Sequence, residues 1–205
     1  MTAAHCLRDE PTATLTASSK RFNIRKSAQN EKGIEFKVLK VHIHPDYQIK
    51  TSNNDIAVLV VKVKNNWSSG RVETVAYSKS VQSPRTNTLL SAIGWGYTKN
   101  EGRISNTLQE TSLISVAFAE CQIALQTNSM SRKTICAMSE SSTRITDTCS
   151  GDSGGPLFSI NMGKATVHGI VSWGEECALK GKPGVYTKIA HYNSWLANIE
   201  RTNRV

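Results

Sequence analysis

Long hydrophobic stretches are missing from this chain of 205 residues. The longest apolar run, Ile56 to Val61, is far shorter than the roughly 20 residues that span a bilayer. Nothing near the start has the apolar core of a signal peptide, so neither a membrane anchor nor a leader is read here. Acidic residues are also scarce. Lysine and arginine number 25 against 16 aspartates and glutamates, a formal charge of +9, which draws acidic partners such as nucleic acid, glycosaminoglycan or anionic lipid without choosing among them. Aromatics reach only 6% and prolines number 5, yet apolar residues make up 39% and charged residues 20%. That balance excludes a disordered chain and a collagen-like fibre, and leaves a core large enough for one or at most two compact domains. The five cysteines are an odd number, and the chain opens Met1-Thr2-Ala3-Ala4-His5-Cys6.

Short apolar runs recur between polar, glycine- or proline-containing breaks, and several alternate with the period of two that marks half-buried strands. Phe36–Ile43, Asp55–Val63, Thr88–Ile93, Gln109–Val116, Pro156–Ile160, Thr166–Trp173 and Gly184–Ile189 all read as strands, which predicts a mostly β chain. Only two segments carry a helical period: a short one over Ala117–Leu125, and a last one that sets Tyr192, Trp195, Leu196 and Ile199 on one face. The polar stretch from Asn65 to Asn87 divides the strands into an earlier and a later set. Its spaced Val72, Val75 and Val81 mark it as a crossover between two β units rather than a flexible tether. No internal repeat is visible, and Ser139–Thr143 reads as an ordinary surface loop.

The most informative string is Gly151-Asp152-Ser153-Gly154-Gly155-Pro156. A serine flanked by glycines sits where backbone approaches a substrate closely and where two amides can converge on a developing oxyanion. Serine alone is a weak nucleophile; it needs a base to take its proton, and the base needs a carboxylate to hold its tautomer. The string also fits the G-x-S-x-G elbow of α/β-hydrolases, in which the acid and then the histidine follow the serine. Here no aspartate follows Ser153, which leaves Glu175, Glu176 or Glu200 with His168 or His191, and the alternating strand-helix pattern is missing. Upstream, by contrast, His5 and Asp55 complete the order His, Asp, Ser.

With Thr2-Ala3-Ala4-His5-Cys6, Asp55-Ile56-Ala57-Val58-Leu59 and the Ser153 string in that order, the chain resembles a serine endopeptidase of the chymotrypsin and trypsin family, from residue 3 to about residue 200. The resemblance implies an all-β fold of two six-stranded antiparallel β-barrels, chymotrypsin-like, with the site in the cleft between them and a C-terminal helix. The first barrel, to about residue 80, would be incomplete at its N-terminus; the second would run over about 81–188 and the helix over about 189–202, all within a single peptidase domain. It implies that Ser153 is the nucleophile, His5 the general base and acid, and Asp55 its buried orienting partner, with the amides of Gly151 and Ser153 forming the oxyanion hole.

Specificity follows from the same likeness. Asp147, six residues before Ser153, matches the floor of the primary pocket, where a carboxylate pairs with substrate arginine or lysine and rejects an uncharged side chain that would leave it unpaired. Thr148 would add a hydroxyl beside it, and Tyr186 would help hold the carboxylate. Ser172-Trp173-Gly174 resembles the strand that pairs with substrate backbone, and Gly174 and Gly184 match the glycines that keep the pocket open. Glu176 departs from the family, which usually has glycine there; its bulk and charge either narrow the rim or attract basic substrates.

Cys149 with Cys177, and Cys121 with Cys136, match two family disulfides and imply an oxidising, secreted setting. Cys6 is left over, and Leu90 and Ser159 occupy the positions of a further bridge found in many relatives. His42 and His44 sit two apart, but no Cys, Asp or Glu at matching spacing completes a metal site. The Arg25–Glu35 region offers only Glu31 and Glu35 amid lysines, so no calcium, no other metal and no cofactor are expected. Asn66-Trp67-Ser68 is a glycosylation sequon. Basic residues such as Lys62, Lys64, Lys133 and Lys164 are scattered, which reads as a solvated surface rather than a nucleic-acid or membrane site. The expected partners are protein or peptide substrates with Arg or Lys at the cleavage site, and protein protease inhibitors, acting on a monomer.

In active family members a freed amino terminus pairs with the aspartate before the serine, here Asp152. With the chain starting almost at His5, Asp152 is expected to turn outward, because burying an uncompensated carboxylate costs several kcal/mol. The oxyanion hole and pocket would then be disordered, as in an inactive zymogen, and the sequence would be an incomplete product of a gene for a working protease. The alternative is a non-catalytic protease homologue acting as a binding module.

Overall fold

The computed structural model describes residues 1–63, 72–98, 102–141, 143 and 145–203. The sequon at Asn66 and Lys64 lie outside the described residues.

Alternation builds the first sheet. In β2 (Glu35–Ile43) Phe36 and Val38 are buried while Glu35 and Lys37 face water, the period-2 pattern of a strand with one face on a core. It lies between the short β1 (Thr16–Ser18) and β3 (Ala57–Lys62), and both pairings are antiparallel. The β2–β3 register shifts between Val38 and Lys40, a local irregularity that re-aims the strand.

The second sheet holds β4 (Ala76–Tyr77), β5 (Leu89–Gly94), β6 (Gln109–Val116), β7 (Thr134–Ser139), β8 (Pro156–Asn161), β9 (Lys164–Trp173) and β10 (Gly184–Lys188). Its order is β10-β7-β6-β5-β8-β9, and β10 pairs again with β9, so six strands close into a barrel; β4 attaches to the outside of β9 in parallel. Closure removes the pairing edges. The interior is filled by Leu90, Leu113, Leu157 and Tyr186, each at most 1% exposed, and burying each such side chain is worth roughly 2–3 kcal/mol. Between β6 and β7 runs α1 (Phe118–Ala124), and α2 (Asn193–Thr202) closes the described chain. The Cys121–Cys136 disulfide ties α1 to β7, and Cys149–Cys177 links the loops before β8 and β10.

A further apolar cluster matters most for the site. Ala3, Ile56, Ile170, Ile189, Tyr192 and Leu196 are buried together, so one core clamps the residues flanking His5 and Asp55 against β9 and α2. No helix of the described residues is long and apolar enough to cross a membrane.

The mostly β expectation holds, with a closed six-stranded barrel and a C-terminal helix as in the chymotrypsin-like fold. The first sheet has three strands among the described residues. Strands expected at Phe36–Ile43, Gln109–Val116, Pro156–Ile160 and Gly184–Ile189 fall within a residue of β2, β6, β8 and β10. β7 escapes the sequence reading. Its Thr134-Ile135-Cys136-Ala137-Met138-Ser139 has few β-branched residues and no alternation, because Ile135, Cys136 and Ala137 are all buried.

Candidate active site

Two backbone hydrogen bonds hold the segments that carry His5 and Asp55 together. The Thr2 N–H donates to the Ala57 carbonyl at 2.9 Å and the Ala57 N–H to the Thr2 carbonyl at 2.8 Å. This bridge joins the segment before His5 to the segment after Asp55. Asp55 is fully buried. His5 Nδ1 donates to its Oδ2 at 2.8 Å and the His5 backbone N–H to its Oδ1 at 2.9 Å. Ser172 Oγ adds a 2.6 Å bond to Oδ2 from β9, and Thr187 Oγ1 donates to the Asp55 carbonyl at 2.8 Å from β10. With Nδ1 carrying the proton, the basic nitrogen of His5 is Nε2. Hydrogen bonding to Asp55 and to Cys6 raises the imidazole from 6.5 to about 10 against the opposing effect of burial. Burial alone would push the Asp55 carboxyl up, but the bonds from His5 and Ser172 outweigh it and hold it below its ordinary range.

Ser153 stands on the loop before β8. Gly151 and Gly154 have φ of +97° and +79°, a backbone that L side chains rarely adopt, and a Cβ on Gly154 would run into Thr2 Oγ1. The Ser153 loop thus lies directly against the segment that leads to His5. No hydrogen bond joins Ser153 to His5 among the described residues, and neither the Gly151 nor the Ser153 N–H donates to another described residue. Two amides without an internal acceptor beside a serine are what an oxyanion site requires.

Asp152 does not turn outward, contrary to the sequence expectation. Its Oδ1 accepts the Gly96 N–H at 2.7 Å and its Oδ2 the Cys149 N–H at 2.9 Å. Two backbone donors satisfy the carboxylate and remove the penalty that expulsion would relieve. A Cβ at either Gly94 or Gly96 would overlap that carboxylate. The Gly94-Trp95-Gly96 spacing is the sequence signal for this cradle, and it is recognisable only once Asp152 is seen beside it.

Asp147, Thr148, Ser153, Ser172, Trp173, Gly174 and Gly184 come together around one cavity of about 200 Å³. Burial raises the Asp147 carboxyl to about 6, despite the Thr148 N–H donating to its Oδ1 at 2.8 Å, and the charge of Asp152 adds to the rise. Tyr186 is fully buried, and its hydroxyl meets Thr148 Oγ1 at 3.0 Å, with no hydrogen bond to Asp147 among the described residues. Thr148, rather than Asp147, is therefore the group Tyr186 holds. At the rim, Glu175 pairs with Lys182 at 2.9 Å, and Glu176 lines the same cavity. A second cavity of about 270 Å³ lies on the other side of Asp147 and touches Asp152, Gly94, Gly96 and Tyr97.

Cys6 is the free cysteine among the described residues. His44 packs against the rings of Tyr192 and Trp195, with centroids 5.2 and 5.0 Å away. Glu31 is engaged by Arg21 at 3.0 Å and by the N–H of Asn23 at 2.7 Å.

Comparison with known proteins bears on this arrangement as a whole. The trypsin family profile matches residues 1–196. Trypsin eta of Drosophila melanogaster is 35% identical, over 100% of this chain and 73% of its own length. The venom peptide isomerase heavy chain of Agelenopsis aperta is 31% identical, over 96% of this chain and 82% of its own. Coagulation factor XI of Bos taurus is 30% identical over 98% of this chain, which spans only 31% of that longer protein. A half-buried His5 bonded to a buried Asp55, a serine in a glycine-rich loop against the segment leading to His5, and a closed barrel thus coincide with a sequence match along nearly the whole chain, and the chain belongs to the trypsin family of serine proteases.

Proposed function

We propose that this chain hydrolyses peptide bonds on the carboxyl side of arginine or lysine, through an acyl-enzyme formed on Ser153. The observation that carries the reading is that a half-buried carboxylate, Asp147, and the serine line one cavity. A long cationic side chain entering it would meet Asp147 and bring its own carbonyl to Ser153. Ser153 Oγ attacks that carbonyl while His5 Nε2 takes the hydroxyl proton, and Asp55 steadies the imidazolium. The oxyanion receives the N–H groups of Gly151 and Ser153. Collapse expels the amine with the proton from His5, and a water repeats the sequence on the acyl-enzyme.

Asp152 is the activation-linked group in this reading. An amino group entering the adjoining cavity would face its carboxylate and fix the loop that carries Gly151 and Ser153. The two disulfides suit an oxidising, extracellular setting, and protein inhibitors that present a basic residue would fill the same cavity of a monomeric enzyme. A second reading, a binding module that retains the residues without turnover, is favoured by the missing Ser153–His5 hydrogen bond among the described residues. Hydrolysis of an arginyl ester and a phenylalanyl ester by the chain, with Ser153→Ala as control, tests the proposal. Turnover of the arginyl ester alone, lost in the variant, supports it; preference for the phenylalanyl ester removes the role given to Asp147, and silence toward both leaves the binding module.

A further inference from the structure

Lys182 stands beside the site but takes no part in the chemistry described above. Its Nζ donates to the Ala124 carbonyl at 2.7 Å and meets Glu175 Oε2 at 2.9 Å. The Lys182 side chain is 22% exposed, so its stem is covered while its ammonium joins two separate parts of the chain.

The anchoring end of this bridge is fixed. Ala124 is the last residue of α1, where a carbonyl has no acceptor role left to play within the helix, and α1 is tied to β7 by Cys121–Cys136. The Lys182 N–H donates to the Leu179 carbonyl at 3.0 Å, and Pro183, next in the chain, is fully buried. What the bridge reaches out to hold is Glu175. Glu175 follows Gly174, and Lys182 comes two residues before Gly184, so the ion pair links the two stretches on which these glycines stand. Gly174, Glu175 and Gly184 line the cavity with Asp147 and Ser153. The glycines lie close: a Cβ on Gly174 would come 3.8 Å from Gly184 Cα, and a Cβ on Gly184 would stand 3.2 Å from Asp147 Oδ1.

We infer that Lys182 is a positioning residue for the proposed hydrolysis: by holding Glu175 to α1 it braces Gly174 against Gly184 and sets the width of the chamber that receives arginine. The inference rests on the reading of Asp147 as acceptor of the substrate cation. The Cys149–Cys177 disulfide holds the Gly174–Cys177 segment from one end; the ion pair holds it from across the gap. An isolated ion pair in water contributes little. This one shares its ammonium with a backbone carbonyl, and without Lys182 the segment gains freedom where the substrate enters. A loosened chamber penalises a flat, broad cation that needs both walls more than a slim one that needs only the carboxylate.

Ligand-observed NMR titrations of the full chain test the brace without turnover. The probes are benzamidine, whose planar ring and amidinium need both walls, and butylamine, a slim cation. Lys182→Met is expected to weaken benzamidine about fivefold and butylamine less than about twofold, and Lys182→Arg, which keeps donors for both acceptors, to bring benzamidine back to within about twofold of the parent. Glu175→Gln should weaken benzamidine by a similar factor, and the double variant with Lys182→Met no more than either change alone. Equal losses for the two probes overturn the inference, because a misfolded fraction acts on both alike, and so do additive losses in the double variant. Benzamidine bound equally by the parent and Lys182→Met removes the brace alone; a parent that binds no benzamidine overturns the reading of Asp147, and the brace falls with it.

Discussion

Asp55 accepts three hydrogen bonds while fully buried, and removing its charge acts on His5 first. The raised imidazole has a definite sign. Its stabilising contribution is complete below the ordinary 6.5 and is lost as pH rises toward about 10, whereas the contribution of Asp55, whose carboxyl is held down, is complete above its ordinary 3.8 and is lost as pH falls below it toward the lowered value. Hydrolysis needs His5 without its second proton, so the rate should climb with pH to a midpoint above 6.5. Asp55→Asn is expected to lower that rate about 10⁴-fold and return the midpoint toward 6.5; a pH–rate profile that keeps its midpoint in the variant would deny the pairing any role. At Asp147 the sign is reversed for binding. A carboxyl that ionises near 6 must lose its proton to receive a cation, so KM for an arginyl ester should rise as pH falls below that value while a phenylalanyl ester shows no such trend. Asp147→Ser should remove the preference for arginine over phenylalanine, a loss of roughly 10³- to 10⁴-fold in the ratio of kcat/KM.

Elements carry the next set of consequences. In β9, His168 is 6% exposed and lies between Ser159 Oγ, 2.8 Å from Nε2, and Ser83 Oγ, 3.3 Å from Nδ1. Burial, with the Lys188 cation nearby, holds it below its ordinary 6.5. A histidine lowered in the folded state takes its proton more readily when unfolded, so stability drains as pH falls below 6.5. Denaturant melts of His168→Gln at pH 5 and pH 8 should differ less than those of the parent; an unchanged difference would assign the acid sensitivity elsewhere. The Asp152 cradle belongs to β5 and the turn that follows it. Gly94→Ala sets a methyl group against the carboxylate, and activity should drop about 10²-fold or more with circular dichroism unaltered, since the strand itself tolerates alanine. Most of this was legible beforehand. Periodicity found β2 and β6, whose outer faces meet water, and the length of its apolar run found β9 although His168 to Ser172 are all buried; the three motifs singled out His5, Asp55 and Ser153 as candidates. It failed on β7, buried on both sides, and on β1 and β4, two or three residues long, whose pairing is dictated by neighbours distant in sequence. The inward Asp152 was out of reach for a related reason: its donors, on Gly96 and Cys149, are backbone amides, and the Gly94-Trp95-Gly96 spacing points to them only once Asp152 is placed beside it.

At the scale of the molecule, two disulfides stiffen the barrel side of the site, and a shared core holds that side against the segments carrying His5 and Asp55. Loops of 15 and 28 residues are closed by Cys121–Cys136 and Cys149–Cys177, each worth about 3–4 kcal/mol by restriction of the unfolded chain. Cys149→Ser with Cys177→Ser should therefore lower Tm by roughly 10 °C and, by freeing one wall of the cavity, raise KM for arginyl esters more than it lowers kcat; calorimetry and steady-state kinetics on one preparation read both. The cluster of Ala3, Ile56, Ile170 and Leu196 joins the first sheet to the barrel through His5 and Asp55, so a cavity there, as in Ile56→Ala, is expected to cost about 2–5 kcal/mol and to disturb the acid-base pair along with the fold. Asp147 stands as a party wall between two cavities; burial is the main reason its carboxyl is raised, and the charge of Asp152 across the way adds to it. On the proposed reading, a cation that neutralises Asp152 from the far chamber should relieve that repulsion, let Asp147 ionise at lower pH and tighten the near chamber for an arginyl substrate. Linkage is reciprocal, so arginine in the near chamber must tighten the far one for its cation by the same factor, and two rooms with no common occupant are priced together by one carboxylate.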